Sequence, residues 1–471
     1  MLNEIVGYIS DALYSYILII LLVAGGIYFT VRTRASQITM LPAQIKCVTE
    51  KPDKKGGVSS LGALLVSTSS RVGTGNIVGV SSAICLGGYG AIFWMWIITL
   101  VGAASAFVES TLAQIFKKRG SDGSYGGPAY YIEGALKLRP LAIVFSVLIV
   151  LTYGCGFNML ASYNLQSSFE GYSFYSSTYT PWIIGAVIAA LTAFCLFGGG
   201  RRIIKVTSFL LPIIGVAYIL IALVVIIINH KALGGVFANI FSQAFDFGAI
   251  FGGFGGSCLM YGVKRGLFSN EAGVGSAPNA SAAAEVSHPA KQGLVQVLSV
   301  FIDTLVICSA TAFMCTSSSI EPTESLSGMP YVQASVSESL GDFGVVFISI
   351  AMVLFAFTTI LGNLFYCDKA FNHILGKAPG KLFKYIYYVV AALLVLFGAV
   401  LSSSLLWNIA DIMMGLMAII NVPVIIILGK YAFRALSDYR KKRRSGDDPK
   451  FLARDIGITE PLDYWQEDQE A

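Results

Sequence analysis

Apolar runs long enough to cross a bilayer, about 20 residues each, recur along nearly the whole chain. Inside a membrane every backbone amide and carbonyl must find a partner within the protein, so such runs fold as helices packed into one bundle. About eleven spans are predicted, over residues 14–31, 61–86, 89–116, 141–169, 182–197, 203–228, 245–286, 294–315, 345–366, 385–402 and 409–428. Of the 471 residues 55% are hydrophobic and only 13% charged, against roughly a quarter charged in a soluble domain. The chain is therefore expected to be an all-α polytopic membrane protein in contact with lipid.

Lysine and arginine give the expected orientation. About 28 of the 32 basic residues fall in alternate loops and in the tail, which the positive-inside rule places in the cytoplasm. These include Arg32, Arg34, Lys46, Lys51, Lys54 and Lys55 after the first span, and the run from Arg440 to Arg444. An N-outside, C-inside topology follows, with the tail beyond Arg444 read as a solvated end. The net charge of +5 does not indicate nucleic acid, because the basic residues sit in short loops between apolar runs. Residues 1–11 lack a basic leader, so the first run is expected to remain as a helix rather than a cleaved signal. The eight cysteines are scattered without ligand-like spacing, and no cofactor is expected.

Two spans break the pattern. The second contains Ser67-Thr68-Ser69-Ser70-Arg71-Val72-Gly73-Thr74-Gly75-Asn76, and the seventh Lys264-Arg265-Gly266-Leu267-Phe268-Ser269-Asn270-Glu271-Ala272-Gly273-Val274-Gly275. Glycine costs about 1 kcal/mol relative to alanine in a helix interior, and a charge at mid-bilayer about 3 kcal/mol or more. Interruptions of this kind survive where they are buried in protein or line a wet cavity. With the first span set aside, spans two to six and seven to eleven form two groups of five, each opening with a broken helix. An odd number of spans per group reverses the orientation of the second, the mark of an inverted repeat with its site between the breaks.

Each motif also has a plainer reading. Gly73 to Gly79 lacks the strand and soluble βαβ unit of a dinucleotide fingerprint. Close packing through small residues explains its glycines but not Asn76 or Arg71. Gly87-Gly88-Tyr89-Gly90 lacks the pore helix of a potassium filter and reads as a turn. Glu271 is either a site carboxylate or an acid paired with Lys264 or Arg265. Ser269 and Asn270 are either ligand contacts or caps on broken helix ends. Thr358 and Thr359 either bond back to their own helix or supply hard oxygen ligands to a cation. Arg71 either pairs with Glu109, Asp303 or Glu271 or faces the pocket. A channel would show a filter and a membrane enzyme a catalytic constellation; a secondary symporter needs neither.

Gly73-Thr74-Gly75-Asn76-Ile77-Val78-Gly79, Ala91-Ile92-Phe93-Trp94-Met95-Trp96, Lys264 to Gly273, Gly275-Ser276-Ala277-Pro278, Phe301-Ile302-Asp303-Thr304 and Trp407-Asn408-Ile409-Ala410-Asp411 resemble the alanine/glycine:cation symporter family, in order over nearly the whole chain. The resemblance implies a leucine-transporter-like fold, a 5+5 inverted repeat preceded by one extra helix. The expected divisions are residues 1–35 for that helix, 36–60 for a cytoplasmic loop, 61–230 and 231–430 for the repeats, and 431–471 for a cytoplasmic tail. It implies sodium-driven import of a small amino acid by alternating access at a prokaryotic cell membrane. Carried over by position, the substrate would meet Arg71, Gly73, Thr74, Gly75, Asn76, Ala161, Phe268, Ser269, Asn270, Glu271, Thr359 and Asn363. Sodium would meet Ser69, Val72, Phe355, Thr358 and Thr359. Some members have threonine, glutamine and tryptophan where this chain has Arg71, Ala161 and Asn363. These differences imply a roomier pocket and a substrate larger or more polar than alanine.

Overall fold

The computed structural model describes residues 2–52, 57–120, 123–246, 257–445 and 448–466. Eight of its helices are long and apolar enough to cross a membrane: Asn3–Arg32, Gly90–Ile115, Arg139–Ser167, Arg202–Ile228, Pro289–Thr316, Met329–Leu375, Lys381–Gly398 and Ser403–Arg444. Thr180–Leu196 is a shorter apolar helix. A two-stranded hairpin pairs Lys118–Gly120 with Gly123–Tyr125. The protein is a mostly helical, multi-pass membrane protein.

The expected second and seventh spans are not continuous helices. Ser60–Arg71 ends before a non-helical turn at residues 72–73, and the chain resumes through Gly75–Gly79 into Val80–Gly87. Cys258–Asn270 ends at Glu271, and only one further helical turn, Pro278–Ser281, follows. Residues 247–256 of the expected seventh span, and Lys54 and Lys55 of the first loop, lie outside the described residues. A separate helix, Leu233–Ala244, precedes that span.

Other helices overrun their hydrophobic windows. Met329–Leu375 continues past both ends of the expected span and turns at Gly341, whose φ of 57° is left-handed. Ser403–Arg444 runs well beyond residue 431, where the tail was expected to begin. The tail itself is not a solvated end. Phe451, Ala453, Ile456 and Ile458 are buried, because the segment packs back onto the bundle. Small residues let the helices approach closely: a Cβ on Gly26 would lie 2.8 Å from the Val101 carbonyl oxygen, and one on Gly293 2.7 Å from Phe107.

Candidate functional site

The first break is held open by its own side chains. The Val72 amide still bonds to Thr68 O at 2.6 Å. The Gly73 amide donates instead to Asn76 Oδ1 at 2.8 Å. Glycine is required at 73, since a Cβ there would collide with Thr359 Oγ1. That contact brings Met329–Leu375 against the break. Thr359 Oγ1 donates to Ser69 O at 3.0 Å and lies 3.5 Å from Val72 O. Thr358 Oγ1 bonds back to Leu354 O and Phe355 O, both at 3.0 Å. All five residues expected at a cation site are buried, and their hard oxygens gather in two adjoining groups, one of Ser69, Val72 and Thr359, the other of Phe355 and Thr358.

The second break turns on left-handed backbone. Glu271 caps Cys258–Asn270 at φ 52°, and Gly273 and Gly275 follow at φ 85° and 92°. A Cβ on Gly275 would lie 2.7 Å from Phe145 and 2.9 Å from Pro128, so strain and crowding both select glycine there. Asn270 Oδ1 accepts from the Ala272 amide at 3.0 Å while its Nδ2 donates to Thr99. Asn270 is thus a cap on the broken end. Asn421 Nδ2 bonds both Gly273 O and Glu109 Oε2 at 2.9 Å, and Tyr131 bonds Asn421 Oδ1.

Asn76 joins the two breaks. Its Nδ2 donates to Ser269 Oγ at 3.1 Å and to Asp303 Oδ1 at 2.8 Å, and its carbonyl accepts from Thr311 at 2.7 Å. Ser269 donates to Asp303 Oδ2 at 2.6 Å. The next residue, Phe268, packs between the tilted rings of Phe157 and Trp407, with ring centroids 4.6 and 4.7 Å away. Gly75 admits it, since a Cβ there would lie 2.8 Å from Phe268 Cδ1.

Two ion pairs that the sequence left open as alternatives are not formed among the described residues. Glu271 does not reach Lys264 or Arg265: both cations turn to Asp411, at 3.2 Å each, and Glu271 Oε2 accepts from Ser276 at 2.5 Å. Arg71 is buried yet has no carboxylate within 4.0 Å; its Nη1 donates to Gln296 Oε1 at 3.1 Å. Asn363 is also buried and fully engaged, accepting from Ser70 at 2.6 Å and donating to Asn158 Oδ1 at 2.9 Å. Ala161 lies buried one turn beyond Asn158, and Thr74 is buried in the first turn.

Sequence reasoning missed Phe157, Trp407, Gln296, Tyr153 and Tyr366 as neighbours of the breaks. Uncharged, they sit in apolar runs, and although Trp407 falls in a stretch that carries the family resemblance, nothing in the sequence marks it as a neighbour of Phe268.

A multi-pass helical protein with two discontinuous helices joined by polar side chains has the form of a secondary transporter. The sequence profile of the sodium:alanine symporter family matches residues 1–453. The chain is 40% identical over 468 residues to the amino-acid carrier protein AlsT of Bacillus subtilis, covering 99% of this chain and 98% of that one. It is 43% identical over 452 residues to "Probable sodium/glutamine symporter GlnT" of the same species, covering 96% and 93%. It is 34% identical over 436 residues to the sodium/alanine symporter AgcS of Methanococcus maripaludis, covering 90% and 94%. Among solved structures it is similar to Mhp1, a nucleobase-cation-symport-1 family transporter, at 14% identity and a TM-score of 0.46 over 85% of this chain and 81% of that one. This chain belongs to the sodium:alanine symporter family.

Proposed function

We propose that this protein imports a neutral amino acid together with sodium, by alternating access around the two breaks. Sodium-coupled amino-acid symport is the activity of its family, and the breaks supply the parts it needs. The observation that carries the reading is the bond from Thr359 Oγ1 to Ser69 O, across 290 residues of chain. It brings an unwound turn and a distant helix together through hard oxygens, the ligands such a cation takes. On this reading sodium is held by the carbonyls of Ser69, Val72 and Phe355 and the hydroxyls of Thr358 and Thr359.

The substrate carboxylate is assigned to the first turn, where helix ends favour anions. Asn76 already occupies the Gly73 amide, so the amides of Thr74 and Gly75 are the ones left to hold it. Phe268 walls the side chain. Ser269, Asn270, Ala161 and Asn363 shape the space from behind.

We count eleven spans: the eight long helices, Thr180–Leu196, and the two broken ones. Taken as one helix in residues 1–35, a connection in 36–60, repeats in 61–230 and 231–430 and a tail in 431–471, they make an inverted five-plus-five bundle. The basic loops orient the N-terminus outside and the tail in the cytoplasm of a prokaryotic cell. Labelling of single cysteines with an impermeant reagent tests that orientation: position 51 is expected to stay unlabelled from outside.

Uptake into proteoliposomes tests the coupling. Amino-acid entry is expected to require a sodium gradient and to fail with potassium. Replacing Thr358 and Thr359 together by alanine is expected to weaken sodium binding and, because the two ligands are linked, the apparent affinity for amino acid. An unchanged sodium dependence would put the cation elsewhere.

A further inference from the structure

Beyond Ser403–Arg444 the chain returns across the bundle as a strap over residues 448–466. It begins beside the second broken segment, where the Phe451 amide donates to Ser287 O and Ser287 Oγ donates to Pro449 O, both at 3.0 Å. It then folds on itself. The Ala453 amide donates to Trp465 O at 2.9 Å, and the Phe451 and Trp465 rings meet edge to face at 5.4 Å. Gly457, at φ 78°, turns the chain between them, a conformation that glycine adopts without steric cost.

Trp465 is the pin. It packs on Ala63, Ala284 and Val286, and its Nε1 donates to Gln114 O at 2.9 Å. Ala63 lies in Ser60–Arg71, which leads into the first break. Ala284 and Val286 lie on the chain that leaves the second break. Gln114 belongs to Gly90–Ile115. One side chain therefore touches both broken segments and a helix beside them. The bridge between Val58 and Ala284 marks the line along which those segments meet, and the indole packs on that line. Alanines at 63 and 284 leave room for it.

The rest of the strap is fastened for release. Asp463 meets Lys118 and Glu460 meets Lys137, at 2.8 Å each, and Asp455 meets Lys442 at 2.7 Å. All six side chains reach solvent, and such pairs hold weakly. Ordering an irregular segment also costs conformational entropy, so a strap of this kind can come away without unfolding the helices beneath it. The family profile ends at residue 453. Trp465 and all three acids lie beyond it.

We propose that residues 448–466 are an autoinhibitory latch, in which Trp465 holds the cytoplasmic ends of the two broken segments together and has to leave before that side opens. The inference rests on the symporter reading and the topology above. Alternating access moves one repeat against the other, and the two segments cannot part while one indole joins them.

The test uses the full-length protein in proteoliposomes under a sodium gradient, with alanine or glutamine, whichever the wild type carries faster. Lys118→Cys and Asp463→Cys are combined, because these side chains meet outside the seam, and are bridged by a short reducible bis-thiol reagent. Bridging is expected to lower initial uptake at least tenfold, and reductant to restore it, while the same reagent leaves the wild type unchanged. A second measurement needs no transport. The rate at which a maleimide modifies Val286→Cys from the cytoplasmic side is expected to rise threefold or more when Trp465→Ala is added. Bridged protein that transports at the unbridged rate would overturn the proposal, as would an unchanged labelling rate. If the double cysteine variant is inactive before bridging, the labelling rate decides. Failure of both amino acids to enter the wild type with sodium is a different result: it would sink the symporter reading and leave the latch to be judged by labelling.

Discussion

At one end of the break region Asp411, fully buried, holds Lys264 and Arg265 at 3.2 Å each. Arg265 lies over the Trp407 ring at 4.1 Å, and Trp407 covers Phe268. The N-terminal helix adds Ser10 and Asp11 to Lys264 at 2.9 and 3.3 Å. At the other end the buried cations meet acids that reach solvent: Lys117 lies 3.8 Å from Glu285, and Lys291 bonds Glu50 and Asp448 at 2.8 Å each. Val58 forms a parallel bridge with Ala284, the Glu285 amide donates to Val58 O at 2.9 Å, and Gln292 bonds Ser60 at 2.8 Å. The returning tail then covers the seam: Trp465 packs on Ala63, Ala284 and Val286 and donates to Gln114 O at 2.9 Å. Lys118 meets Asp463 of the tail at 2.8 Å.

The difference teaches how each end can open. Separating ions whose acid is fully buried is costly unless all partners move together, whereas pairs whose acids already reach solvent part at less cost. On the proposed topology the charged end is the outer one. Three substitutions sharpen or break this contrast.

The largest effect is expected from Asp411→Asn. Removing one member of a buried ion cluster leaves uncompensated charge and typically costs about 3–5 kcal/mol. Here Arg265 loses its carboxylate and Lys264 keeps only Asp11 at 3.3 Å, so a large drop in thermal stability of the purified protein is expected, together with loss of uptake. A near-neutral result would show that Lys264 and Arg265 reach water, and the contrast between the ends would fall.

Trp465→Ala is expected to cost less. A fully buried tryptophan loses about 3–5 kcal/mol on truncation, but Trp465 is only half-buried, so roughly 1–3 kcal/mol is expected. Limited proteolysis should then cut the tail between residues 448 and 466 faster than in the wild type. Unchanged cleavage would mean that the aromatic contact does not hold the tail.

The smallest effect is expected from Lys118→Ala. Its pair with Asp463 is 2.8 Å long but well exposed, and such pairs are worth at most about 1 kcal/mol. Salt supplies a companion measurement. At 1 M the screening length falls to about 3 Å, which should loosen the tail while leaving the Asp411 cluster unaffected. Equal salt sensitivity at both ends would contradict the difference in burial.

Much of the architecture was legible from hydropathy, because the length of a spanning helix is a local property. The breaks were legible for the same reason: glycine, hydroxyl and charge inside an apolar run are costly wherever they sit. Windows of hydropathy could not show that Met329–Leu375 and Ser403–Arg444 extend far past their apolar cores, since helices continue through polar sequence when neighbours support them. Nor could composition show the tail packing back, because its few apolar residues are spread among charges.

The sequence by itself therefore determined a helical membrane bundle, its basic face and the two interruptions, all of which follow from one residue's cost in lipid or one segment's length. Only the tertiary structure decided which polar atoms are partners. Glu271 could have paired with Lys264 two turns away, but Asp411, 147 positions further along the chain, takes that cation. Thr358 bonds its own helix while Thr359, the next residue, crosses to Ser69. Adjacent residues on a helix point about 100° apart, so a neighbour's direction, and not its identity, settles the partner. Direction acquires meaning only once the helices are packed.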